Sequence, residues 1–140
     1  MTREEIDALL KRHFDAELAG DVPAIVATFT DDIEHDVVGR QINPLRGKEA
    51  VGAFYKEFLP DLEHTRVIPV RRFYADDVAV DEAIVEGYAH GRPFDLEGYG
   101  RPVRFRLLRV FELRDGLIAR VNAWFDLGAI RRQLAPPSAD

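Results

Sequence analysis

No cysteine occurs in the 140 residues, and methionine and tryptophan appear once each. Without thiols, a disulfide framework and thiolate chemistry are excluded, and the chain is expected in a reducing cytoplasm. No apolar run reaches the ~18 residues of a membrane span, and the first twenty residues form a charged amphipathic stretch unlike a secretion signal. Positive charge is in deficit: 19 Lys and Arg stand against 25 Asp and Glu, a net charge of −6. That balance argues against nucleic acid or an anionic membrane as the main partner. Phosphate-loop, dinucleotide and zinc-finger spacings are missing, and the four histidines share no ligand spacing, so neither a cofactor nor a metal is expected. What remains is an ordinary composition, 46% hydrophobic and 31% charged. Its length suits one domain, read as residues 1–134, with 135–140 as a disordered tail.

The order of elements reads α-α-β-α-β-β-β-β. Thr2 and Glu5 form a capping box for a helix over Thr2–Ala19, and Ile6, Leu9, Leu10, Phe14 and Leu18 make its apolar face. Asp21 caps a second, short helix with Pro23 in its first turn and Ile25, Val26 and Phe29 as its buried side. Thr30-Asp31-Asp32 reads as a turn, Ile33–Val38 as a strand and Gly39–Arg46 as a loop. Gly47–Leu59 is a third helix that Pro60 stops. Two β-rich runs, Thr65–Tyr74 and Val78–Ala89, are joined by Ala75-Asp76-Asp77. His90–Gly100, with three glycines and a proline, reads as a mouth or lid. Val103–Leu113 and Leu117–Phe125 are joined by Arg114-Asp115-Gly116, a strong hairpin signal, and a helical turn, Leu127–Leu134, follows. This is an α+β domain with helices packed on one face of a curved antiparallel sheet.

Polar residues intrude on the apolar interior. In Val103–Leu113, Arg109 shares parity with Phe105, Leu107, Phe111 and Leu113, so the strand aims a guanidinium at the buried side. An unpaired charge there costs several kcal/mol, so it needs an acidic partner, a ligand or water. On the first helix His13 extends the stripe of Ile6 and Leu10, with Glu17 one turn further; a boundary histidine with a solvated Glu17 is the plainer alternative. On the first strand His35 shares a face with Ile33 and Val37, which turns Asp36 outward unless a bulge near Val37-Val38-Gly39 reverses the parity. Tyr55 lies on the stripe of Val51 and Phe58, and its hydroxyl needs a partner. In the last strand the small Ala123, beside Val121 and Phe125, leaves room for a ligand. Phe54 and Phe58 would line the same pocket with Phe14 and Glu17. Trp124, Leu108 and Val110 form an outward apolar patch, a sign of a homodimer through the outer sheet face. Arg71-Arg72 and Arg131-Arg132 read as solvated surface.

Ala19-Gly20-Asp21-Val22, Phe29-Thr30-Asp31-Asp32, Gly47-Lys48-Glu49-Ala50-Val51 and Phe54-Tyr55 resemble the front half of the ketosteroid isomerases. Gly100-Arg101-Pro102-Val103-Arg104-Phe105 and Phe111-Glu112-Leu113-Arg114-Asp115-Gly116 resemble SnoaL-type polyketide cyclases. Trp124-Phe125-Asp126-Leu127 is similar to limonene-epoxide hydrolases. All belong to the nuclear-transport-factor-2-like superfamily. The resemblance implies a cone: a curved sheet wrapped on helices around a deep apolar pocket, often dimeric through the outer sheet face. It implies that His13 stands where the isomerases place an enolate-donating tyrosine, Tyr55 where some place a supporting tyrosine, and Arg109 where they hold a protonated aspartate. The general-base position falls on Val37 or on Asp36, depending on the anchor of the alignment. The hydrolase arginine and aspartates correspond to Ala83, Val85 and Ala123, and the cyclase acid also falls on Ala123.

Three functions follow as expectations. The first is an enzyme doing proton-transfer chemistry on a small hydrophobic carbonyl compound, with His35 or Asp36 as base and His13, Arg109 and Tyr55 polarising an oxygen. The second is a binding protein without turnover, holding a carbonyl- or carboxylate-bearing hydrophobic ligand at Arg109. The third is a structural or partner-binding module whose inward polar residues merely pair, Arg109 with Glu17 or Asp36 and His13 with Tyr55. Whether Asp36 or His35 faces the pocket separates the first two.

Overall fold

Local signals start and stop most elements of the computed structural model, which describes residues 1–39 and 44–136. Helix α1 spans Arg3–Ala19. Its capping box is complete: the Glu5 amide donates to Thr2 Oγ1 at 3.1 Å, and the Thr2 amide donates to Glu5 Oε1 at 3.0 Å. Gly20 ends it in the left-handed conformation, φ 67°. Asp21 accepts from the Ala24 amide and starts α2, Val22–Val26. Then come β1, Phe29–Val37, the two-residue β2, Leu45–Arg46, and α3, Lys48–Asp61. Strands β3, Leu62–Ala75, and β4, Val78–Ala89, form one hairpin; β5, Arg101–Arg114, and β6, Leu117–Phe125, form the next, turned by Asp115 and Gly116 at positive φ. Helix α4, Leu127–Leu134, is capped by Asp126. No helix is long and apolar enough to cross a membrane.

The strands form one curved, unclosed sheet in the order β2-β1-β6-β5-β4-β3. Every pairing is antiparallel except β1 with β6, which run parallel. Helices α1 and α3 cover its inner face, where Leu10, Ile6, Phe29, Phe111 and Ile118 are essentially inaccessible. Burying side chains of this size contributes roughly 1.5–3 kcal/mol apiece.

Several local expectations are corrected. Thr30-Asp31-Asp32 is strand, because backbone pairing of β1 with β6 outweighs the turn preference of its aspartates, and Phe29 belongs to β1 rather than to α2. Pro60 lies inside the last turn of α3, where its missing amide removes only one helical bond. The segment read as the loop Gly39–Arg46 contains β2, which pairs with Glu34 and His35; its residues 40–43 lie outside the described residues, as do residues 137–140 of the expected tail. Finally, β3 starts at Leu62, three residues before the expected strand. Gly87 permits that start: a Cβ there would come within 1.7 Å of the Glu63 carbonyl oxygen, so only glycine lets β3 approach. Arg72 is also not free surface. It donates to Asp81 at 2.9 Å and to Asp7 at 2.7 Å, tying β3 to β4 and to α1.

Candidate functional site

Strand parity holds where it was expected to matter most. Arg109 is 5% exposed on the inner face of β5. Its Nη1 donates to Glu17 Oε1 at 2.8 Å, and its guanidinium lies 4.3 Å over the Phe14 ring. Of the two acids that could have paired with it, the structure selects Glu17 on α1, 7% exposed. Burial pushes the Glu17 carboxyl up; Arg109, with His13 and His64, overcomes that and holds it at about 2. Glu17 is therefore an anion at neutral pH.

His13 is wholly buried behind Glu17, its Nε2 3.4 Å from Oε1. Its Nδ1 lies 3.0 Å from the Thr28 hydroxyl, which itself donates to the Ile25 carbonyl at 2.6 Å. Nε2 has no hydrogen-bond partner among the described residues. Burial lowers the His13 pKa to about 4, with Glu17 opposing and Arg109 assisting. His13 stands behind Glu17 and does not line the inner cavity, so the donor role that the resemblance implied for it does not fit.

A cavity of about 20 Å³ lies in front of Glu17, room for roughly one water molecule. His35, Tyr55, Glu17, Arg109 and His64 supply its polar wall. Phe54, Phe58, Leu107, Ala123 and Phe125 supply the apolar wall. His35 Nε2 lies 3.2 Å from the Tyr55 hydroxyl, so Tyr55 pairs with His35 rather than with His13. Burial, then the Glu17 charge, raises the Tyr55 pKa well above its usual value and keeps the hydroxyl protonated. Of the expected lining residues, Phe14 and Phe105 stand outside: Phe14 stacks beneath Arg109, and Phe105 packs on Phe125 with ring centroids 5.7 Å apart.

Asp36 is not in this cavity. It points from the outer sheet face toward Arg120 at 3.5 Å and Asn122 at 3.4 Å. Val37, the other residue that the resemblance placed at the general-base position, does line the cavity, and it carries no proton. The inward ionisable side chain on β1 is His35, 3% exposed.

His64 went unrecognised in the sequence. It is 7% exposed, and burial lowers its pKa to about 4, against Glu17 and with Arg109. Its Nε2 has no hydrogen-bond partner among the described residues. The signal is its parity with Leu62, which a bulge between His64 and Arg66 hides by breaking the alternation before the β-rich run at Thr65. No three His, Asp or Glu side chains among the described residues are placed to hold a metal ion.

Two surface grooves adjoin the cavity. One, of about 420 Å³, runs between the end of α1, α3 and the start of β3; Glu17, Tyr55 and His64 line both it and the cavity and so form the partition. The other, of about 320 Å³, lies under the Pro93–Asp95 turn and shares Phe54 and Phe58. There Phe94, at φ 53°, packs its ring 5.0 Å from Phe125 and 5.5 Å from Phe58, two residues of the apolar wall.

The SnoaL-like domain family matches residues 10–121 of the chain. No curated protein matches it. Among solved structures it is similar to a proposed SnoaL-like polyketide cyclase from Jannaschia sp. CCS1, with 23% identity, a TM-score of 0.81, and 96% of this chain and 94% of that one covered. It is also similar to an LEH-like epoxide hydrolase of M. tuberculosis, with 19% identity, a TM-score of 0.73, and 94% and 90% covered. A third is a protein of ketosteroid isomerase-like fold from Catenulispora acidiphila, with 17% identity, a TM-score of 0.74, and 92% and 93% covered. At these identities the likeness is one of fold.

Proposed function

The chain belongs to the SnoaL-like domain family, and on that premise we propose that it performs cofactor-free acid–base chemistry on a small hydrophobic carbonyl compound in the inner cavity. One observation carries the reading: His35, Tyr55 and Arg109 converge from three elements on a single cavity whose remaining wall is largely aromatic and aliphatic. His35 is the base that removes a proton beside the carbonyl. The protonated Tyr55 and the Arg109 guanidinium stabilise the oxygen on which charge develops. Glu17 and, behind it, His13 are positioning residues that hold Arg109. A ligand larger than water enters from the groove once the partition of Tyr55 and His64 yields, and the Phe94 segment covers its far end.

The test is hydrogen exchange. A panel of cyclic ketones incubated with the protein in deuterated water should lose α-protons, followed by NMR, at a rate that falls on the order of 100-fold in His35→Ala. Wild type indistinguishable from that variant across the panel would overturn the chemistry; binding without exchange would favour a ligand-binding protein. The pH profile should carry no signature near pH 6.5 from His13 or His64, because burial has moved both to about 4.

We also propose a homodimer through the outer sheet face, in the cytoplasm. Leu108 and Trp124, 38% and 42% exposed, stand opposite each other on β5 and β6 beside the half-buried Val110. Sedimentation at tens of micromolar should give twice the chain mass, and Trp124→Glu should give the monomer, since a buried like charge on each copy opposes association.

A further inference from the structure

A hydrophobic cavity with an arginine at its end would ordinarily be expected to select a carboxylate. Here the sites for charge are already filled. Arg109 Nη1 and Glu17 Oε1 are 2.8 Å apart, both side chains are more than nine-tenths buried, and Glu17 itself lines the cavity. Of the other ionisable groups nearby, His13, His64, Tyr55 and Asp81 add no positive charge. His13 behind Glu17 and His64 on β3 are neutral at pH 7. Tyr55 on α3 keeps its proton. Asp81, the register neighbour of Arg109 on β4, is an acid occupied by Arg72. Hydrogen-bonding capacity nevertheless remains: Arg109 Nε and His64 Nε2 are buried without a hydrogen-bond partner among the described residues. Such atoms recruit an uncharged polar group at little electrostatic cost, whereas an incoming carboxylate meets the Glu17 carboxylate.

We propose that Glu17 sets the charge selectivity of the cavity: by standing as the built-in counter-ion of Arg109, it restricts ligands to uncharged molecules with a polar head and rejects the matching carboxylates. This rests on the reading of the cavity as a ligand site and narrows it to neutral carbonyl compounds. The carboxylate-bearing ligands that the sequence left open are excluded.

Near-isosteric pairs test it, because an amide and its carboxylate differ mainly in charge. Binding of benzamide and benzoate, and of propionamide and propionate, is followed by NMR shifts of Ala123 and Leu107 and by thermal shift at pH 7. Wild type should bind the amide of a pair at least roughly tenfold more tightly than the carboxylate. In Glu17→Ala the guanidinium loses its partner and a carboxylate-sized space opens beside it. The preference should then reverse, with the amide-to-carboxylate ratio moving on the order of 100-fold or more. Folding failure does not hide the result, because a ligand that binds only the folded state raises the folded fraction by mass action. Benzoate or propionate should therefore restore thermal stability to Glu17→Ala and leave wild type unchanged. Equal binding of the two members of a pair by wild type, or no rescue of Glu17→Ala by either carboxylate, overturns the selectivity role while the cavity reading stands. Failure of every amide and every carboxylate to bind any form overturns the cavity reading and this inference with it.

Discussion

Replacing Arg109 by methionine should lower the stability of the fold by about 3–5 kcal/mol, because it leaves the Glu17 carboxylate buried and unpaired. The pair carries so much weight through the asymmetry of burial. Both ions have left water, and each is compensated mainly by the other across 2.8 Å. The aromatic contact of the guanidinium with Phe14 is lost as well. In a chain of this size the expected result is a melting temperature roughly 10–17 °C lower. Replacing both partners, Arg109→Met with Glu17→Met, should recover most of that loss, since apolar residues of similar volume can substitute for a buried ion pair at little cost. Thermal unfolding of the two single variants and the double closes the cycle. If Arg109→Met melts within a degree of wild type, water reaches Glu17 in the native state and the cavity is wetter than its dimensions indicate.

Acidification should have the other large effect. His13 and His64 titrate at about 4 in the fold and near 6.5 when unfolded. Between those values the unfolded chain binds more protons than the native one, so stability rises with pH across this window. Their contribution is therefore fully present above pH 6.5 and is lost as pH falls from 6.5 toward 4, up to about 3 kcal/mol for each histidine. Glu17, held at about 2, acts further down: its contribution is present above its ordinary value near 4.5 and is lost as pH falls toward 2. The sum is comparable to the whole stability of a small domain, and urea unfolding from pH 7 to 4 should show the midpoint falling steeply below pH 6. Replacing His64 by asparagine, which carries no proton to titrate, should remove part of that slope. A midpoint that stays flat from pH 7 to 4.5 would mean that both rings remain accessible to protons in the native state.

Sequence alone determined the features that rest on short-range periodicity and local backbone chemistry. The capping box at Thr2 and Glu5, the Asp21 cap, the Asp115-Gly116 hairpin, the stripe from Ile6 through His13 to Glu17 and the inward parity of Arg109 and His35 each depend on residues within a turn or a strand of one another. Those signals also carried the α+β order of helices and strands, while the cone and its pocket were what the family resemblance implied. Tertiary structure decided what depends on partners far along the chain. Glu17 was chosen over Asp36 as the counter-ion of Arg109 by the packing of α1 onto β5, ninety-two residues away. The regular parallel pairing of β1 with β6 from Glu34 to Val37 left no bulge to reverse the outward parity of Asp36, and β1 also made strand of an aspartate-rich turn. His64 entered the cavity because Gly87 lets β3 begin early and a bulge then breaks its alternation, so no period in the sequence marks it. The size of the cavity and the neutrality of His13 and His64 are likewise properties of packing: both depend on how closely α1 and α3 settle on the sheet and how completely they exclude water.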